Sequence, residues 1–195
     1  ARQRAFVAAS QTFGVPTSVL LGVSYLKSRW DDHGAPSTSG GYGPMHLTDV
    51  DVPEAGLAKG DGSVRPSDGP DSLHTAAMAA TLTKLDVLVL KSDDASNICG
   101  GAALLSKYQR ELGNATGAGS STASWYDAVR AYSGAVTNAD ADVFASRVFA
   151  TIKGGAIRTT SDGQKVQLAS QPTLTVPSAQ QATVLAQADA SSHID

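Results

Sequence analysis

Cysteine is all but missing from this 195-residue chain. The single thiol, Cys99, excludes an internal disulfide and any cysteine-built metal site. Set among Asn97, Ile98, Gly100, Gly101 and Ala102, it reads as a buried, inert side chain. Glutamate is almost as scarce: Glu54 and Glu111 are the only two. Charged residues make up 17% of the chain, below the usual quarter, and the net charge is −3. That balance leaves no basic face for nucleic acid and no polybasic patch for an anionic bilayer. No apolar run approaches 18 residues and no secretory signal is evident, so no membrane insertion is expected. The four histidines, at 33, 46, 74 and 193, lack metal-ligand spacing. An opening Ala1 reads as a processed chain or an excised segment.

What is present suffices for a core. The chain is 42% hydrophobic, long enough for one domain with about forty residues left for a linker or tail. Residues 2–13 carry apolar positions Ala5, Phe6, Ala9 and Phe13 at helical spacing, closed by Gly14. Pro16 suits a first helical turn, and Val19, Leu20, Val23, Leu26, Lys27 and Trp30 continue a stripe to about Trp30. A long non-helical stretch, about 31–70, is punctuated by turn clusters; a loop of that length usually carries function. Three capped stretches follow: one helix from Asp71 or Ser72 to about Lys91, one from Asp93 or Asp94 to Gly113, and a short one from Ser124 to Tyr132. A last helix begins at Asn138 and ends at Gly154 and Gly155. Asp162-Gly163 between two short apolar-alternating runs predicts a β-hairpin, and the Pro/Gln/Ala-rich run from Ser170 predicts a linker or strap. The expected fold is mainly α, divided as 1–155 helical domain and 156–195 hairpin and tail.

Lys27 is the odd residue, since it shares the apolar face of its helix. Spacing alone favours a lysine that snorkels near a helix C-terminus, or pairs with Asp31 four residues on. Neighbouring motifs add a second reading. Gly14-Val15-Pro16, Leu20-Leu21 and Lys27-Ser28 with Trp30 resemble the opening helix of lytic transglycosylase and goose-type lysozyme domains. The Ser39-Gly40-Gly41-Tyr42-Gly43-Pro44-Met45-His46-Leu47 segment is similar to their glycine-rich hairpin. Asn97-Ile98 followed by Gly101 resembles a third motif, and Ala131-Tyr132-Ser133-Gly134 a fourth. Four motifs in the family's order cover about Ala5 to Gly134.

The resemblance implies a lysozyme-like fold with a long loop or hairpin segment, followed by the C-terminal β-hairpin and linker. It implies a cleft for peptidoglycan glycan strands of alternating N-acetylglucosamine and N-acetylmuramic acid, with no metal or cofactor. Position 27 is where the family carries its catalytic glutamate, the acid/base of glycan cleavage with a hydrolysed or 1,6-anhydro product. Ser39, Tyr42, Met45, His46, Tyr132 and Ser133 fall on the sugar groove; spacing alone would give Met45 and Tyr132 to core packing, and the resemblance moves both to the groove. With lysine at 27, by deliberate replacement or natural drift, binding with little or no turnover is expected. Glu54, Asp31 and Asp32 are weak substitutes for the acid, and Glu111 reads as a solvated last-turn residue. An alternative is a non-catalytic wall-binding module ahead of an amidase or other hydrolase domain. The implied compartment is secreted or cell-wall associated.

Overall fold

The computed structural model describes residues 1–32, 36–37, 39–50 and 71–176, and it is mainly helical. His33, Glu54 and the tail from 177 lie outside the described residues. Helix α1 spans Arg2–Phe13 and closes at Gly14, which takes the left-handed φ of 65°. Helix α2 spans Thr17–Ser28, with Pro16 at the cap rather than inside the first turn. It stops short of Trp30 because Arg29 and Trp30 both adopt positive φ, 57° and 66°. Left-handed backbone is costly for such residues. Here the turn sends the Trp30 indole into the core, fully buried, with its Nε1 donating to the Leu21 carbonyl at 2.8 Å.

Two short antiparallel strands follow, β1 at Gly41–Tyr42 and β2 at Leu47–Thr48, with Tyr42 opposite Leu47. The single helix expected from Asp71 to Lys91 is instead a 3₁₀ turn at Asp71–Leu73, helix α3 at Thr75–Thr83 and helix α4 at Val87–Ser92. The break has a local cause. Lys84 takes φ 61°, and Asp86 caps α4 by accepting from the Leu88 N–H. Helix α5 spans Asp94–Glu111 under the Asp93 cap. The stretch expected to open at Ser124 begins as a 3₁₀ turn, Thr122–Trp125, capped by Ser121, and passes into α6 at Tyr126–Tyr132. Helix α7 runs Asn138–Gly154 behind a Thr137 cap.

Helices α2 and α5 form the middle of the body. Helix α2 packs on α1 and α7, while α5 packs on α1, α3, α4 and α6. Strands β3 (Ala156–Thr159) and β4 (Lys165–Leu168) make the hairpin expected around Asp162-Gly163. Although the sequence sets it apart after residue 155, Val166 and Leu168 enter the same core cluster as the helices. Buried Arg2 secures it, donating to the Trp30 carbonyl at 2.9 Å and pairing with Asp162 at 3.0 Å and with Asp94. Within the run from Ser170, Leu174 and Val176 pack against the core. Among the described residues, no helix is long and apolar enough to cross a membrane.

Candidate functional site

The β1–β2 turn is clamped between the two central helices. Ser24 and Ser28, one turn apart on α2, both donate to the Pro44 carbonyl, at 2.8 and 2.7 Å. From α5, the buried Asn97 side chain accepts from the Met45 N–H at 2.7 Å and donates to the Tyr42 and Leu90 carbonyls, both at 2.9 Å. Two glycines permit this approach. A Cβ on Gly101 would lie 2.6 Å from the Met45 side chain, and one on Gly43, which has φ 62°, would lie 2.5 Å from the Asn97 amide carbon.

The clamped turn forms one wall of a cleft of about 390 Å³. Lys27 enters from the last turn of α2, Ser39 and His46 from the β1–β2 segment, and Tyr132, Ser133 and Gly134 from the end of α6. Asp71, Ser72 and Leu73 contribute from the 3₁₀ turn, Thr75 from α3 and Tyr108 from α5. Lys27 neither snorkels to bulk water nor meets Asp31. Its Nζ donates to the Ser133 carbonyl at 2.8 Å and lies 5.1 Å from the Phe144 ring centroid. Asp31 instead pairs with Arg158 at 2.6 Å and accepts from the Ser161 N–H. No described carboxylate forms an ion pair with Lys27.

Burial pulls the Lys27 ammonium down to about 8 from the ordinary 10.5. Between those values the unfolded chain holds the proton more tightly, so this group makes stability rise with pH across that window. At pH 7 the folded state carries a desolvated cation. Lys27→Met, which keeps the length and the Phe144 contact, is expected to stabilise the fold by about 2 kcal/mol at pH 7. The gain should shrink as pH climbs from 8 toward 10.5. Urea titrations of both chains at the two ends of the window check this; an equal gain at both would assign it to packing.

Four of the sequence-chosen groove residues, Ser39, His46, Tyr132 and Ser133, line the cleft beside Lys27. Ser39 Oγ and His46 Nε2 are 3.1 Å apart, and His46 holds a positive φ of 55°. Tyr132 is almost fully buried, and its hydroxyl donates to the Met45 carbonyl at 2.8 Å. Burial, with Tyr108 nearby, raises its phenol well above the ordinary range. Ser133 presents its carbonyl to Lys27, while its hydroxyl accepts from the Ala135 N–H at 3.1 Å.

Met45 and Tyr42 go elsewhere. Met45 is fully buried and belongs to the core, because the backbone at this turn aims adjacent side chains to opposite sides: Met45 inward against Gly101, His46 outward. Tyr42 stands outside the cleft, under Lys91 at 4.8 Å from its ring centroid. Glu111 is exposed and pairs with Lys107 within its own helix. His74 holds the N-cap position of α3, half-buried and 3.8 Å from Asp49. Cys99 is half-buried, and burial pushes its thiol up, away from the reactive thiolate.

Asp71 and Tyr108 were not singled out for the site from the sequence. Burial, aided by Asp71 and Glu111, lifts the Tyr108 hydroxyl to about 12, and its ring meets Tyr132 edge-on at 6.5 Å. Asp71 is the one carboxylate among the described lining residues. The cleft therefore offers an ammonium, a carboxylate, hydroxyls, an imidazole and an aromatic ring.

No family model, curated protein or solved structure matches this chain.

The chemistry of the cleft has to be judged on its own groups. Among the described residues, no cluster of His, Cys, Asp or Glu is arranged to hold a metal ion. The donor set suits a polar ligand with many hydroxyl and carbonyl groups, set beside the half-buried Tyr108 ring.

Proposed function

We propose that this chain is a lysozyme-like domain that binds peptidoglycan glycan strands in the Lys27 cleft and cleaves them little or not at all. The observation that carries this reading is convergence. Lys27, Ser39 with His46, and Tyr132 with Ser133 come from three separate segments bearing the resemblance, and they line one cleft. The fourth segment supplies Asn97 and Gly101, which hold the hairpin wall in place.

The chemistry argues for binding over turnover. Glycosidic cleavage builds positive charge at the sugar's anomeric carbon, and a carboxylate pair normally delivers the proton and offsets that charge. At neutral pH Lys27 is a cation beside that position, so it would oppose the developing oxocarbenium ion. A binding module in a secreted or wall-associated protein, with any bond-breaking chemistry in another domain, accommodates the lysine.

Co-sedimentation with purified peptidoglycan, with cellulose as the control polymer, tests the reading. The chain should pellet with peptidoglycan alone, and mass spectrometry of the supernatant should show no released muropeptides. Equal retention on both polymers, or on neither, would remove the proposal.

A further inference from the structure

The Lys27 ammonium occupies an unusual position for a charge. It is half-buried, at the end of a helix whose preceding turns are packed in the core, and its one described hydrogen bond goes to a neutral carbonyl, that of Ser133. Carboxylates on the elements beside Lys27 are engaged elsewhere. On α7, Asp140 accepts from the Thr137 hydroxyl at 2.7 Å and Asp142 pairs with Arg130. After α2, Asp31 pairs with Arg158. Asp71 shares the cleft but makes no ion pair with Lys27. A partly desolvated cation with donor capacity to spare, facing an open polar cleft, is completed by an anion brought by the ligand.

We propose that Lys27 makes this cleft selective for a carboxylate-bearing saccharide, its ammonium pairing with an acidic group on the sugar. The inference rests on the glycan-binding reading and adds a chemical discrimination to it. Of the two peptidoglycan sugars, N-acetylglucosamine is neutral, whereas N-acetylmuramic acid carries a lactyl carboxyl that is ionised when no peptide is attached to it. The preferred ligand is therefore a glycan strand with free lactyl carboxylates. A reaction that removes the attached peptides has to supply it. Ser39 and His46 of the same cleft serve the hydroxyl and acetamido groups common to both sugars, and Lys27 supplies the difference between them.

Titration calorimetry with three tetrasaccharides tests this. One is alternating N-acetylglucosamine and N-acetylmuramic acid with free carboxylates, the second is the same molecule with both carboxyls converted to methylamides, and the third is chitotetraose. The free-carboxylate ligand should bind about tenfold or more tightly than either neutral one. Lys27→Met and Lys27→Gln, checked for folding by circular dichroism, should abolish that preference, so that each variant binds the three ligands with similar affinity. Equal binding of all three by the parent chain overturns the inference and leaves glycan binding standing. A preference that survives in both variants also overturns it. Failure of every ligand to bind removes the glycan reading together with the inference.

Discussion

Lys27→Glu is expected to release muropeptides from purified peptidoglycan at a rate at least about 10²-fold above that of the parent chain, the lower end of what a positioned general acid contributes. The same burial that depresses an ammonium raises a carboxyl. No described cation pairs with position 27, and the Ser133 carbonyl beside it favours a group that holds a proton. A carboxyl there would stay protonated toward neutral pH, as a glycosidic acid must. Mass spectrometry of the digest reads the result. Products heavier by one water report hydrolysis, and anhydro ends report internal attack by a sugar hydroxyl. Release by both chains would move the chemistry to another carboxylate, Asp71 being the one in the described cleft. Binding without release by either would leave a pure binding module.

Asn97→Ala is expected to cost about 3–4 kcal/mol and to spoil the cleft as well as the fold. The substitution strips three partners at once, leaving the Met45 N–H and the Tyr42 and Leu90 carbonyls without their side-chain contact. Each buried backbone group left unpaired costs about 1–3 kcal/mol, and water entering the vacated space recovers part of it. Ser24→Ala or Ser28→Ala should cost much less, because the Pro44 carbonyl keeps the other serine as donor. Urea denaturation ranks the three variants. In the folded fraction, Asn97→Ala should also weaken glycan binding, since it releases the turn that carries His46. Similar losses in all three would show that the turn is held mainly by packing around Met45.

The helix ends and the hairpin were legible where a residue's chemistry is local. Gly14 stops α1 by taking a left-handed φ, Asp93 caps α5 through its own carboxylate, and Asp162-Gly163 turns the hairpin. The break in the 71–91 stretch was not legible. Lys84 has no side-chain signature for the left-handed backbone it adopts, and Asp86 reads equally as a helix interior charge or a cap. At the site, residues adjacent in sequence were the hard case. Resemblance put Met45 and His46 in one groove, and a tight turn sends one into the core and the other into the cleft. Asp71 and Tyr108 were invisible for another reason: they reach the cleft because the 3₁₀ turn before α3 and helix α5 pack around it, which no spacing rule encodes.

The clasp built on Arg2 bears on how the chain comes together during synthesis. Ala1 contacts the Gln164 side chain, Gln3 bonds Gln167, and Arg2 pairs with Asp162, so positions some 160 residues apart meet. Contacts of such long sequence separation are slow to form, because a large loop must first be closed. Helix α1 emerges early and can pack on α2 and α5, yet its first turn has to wait for residues made much later. The Arg2 guanidinium has its full set of partners only once Asp162 joins Trp30 and Asp94, so this end of the molecule closes on a charge drawn from three distant parts of the chain.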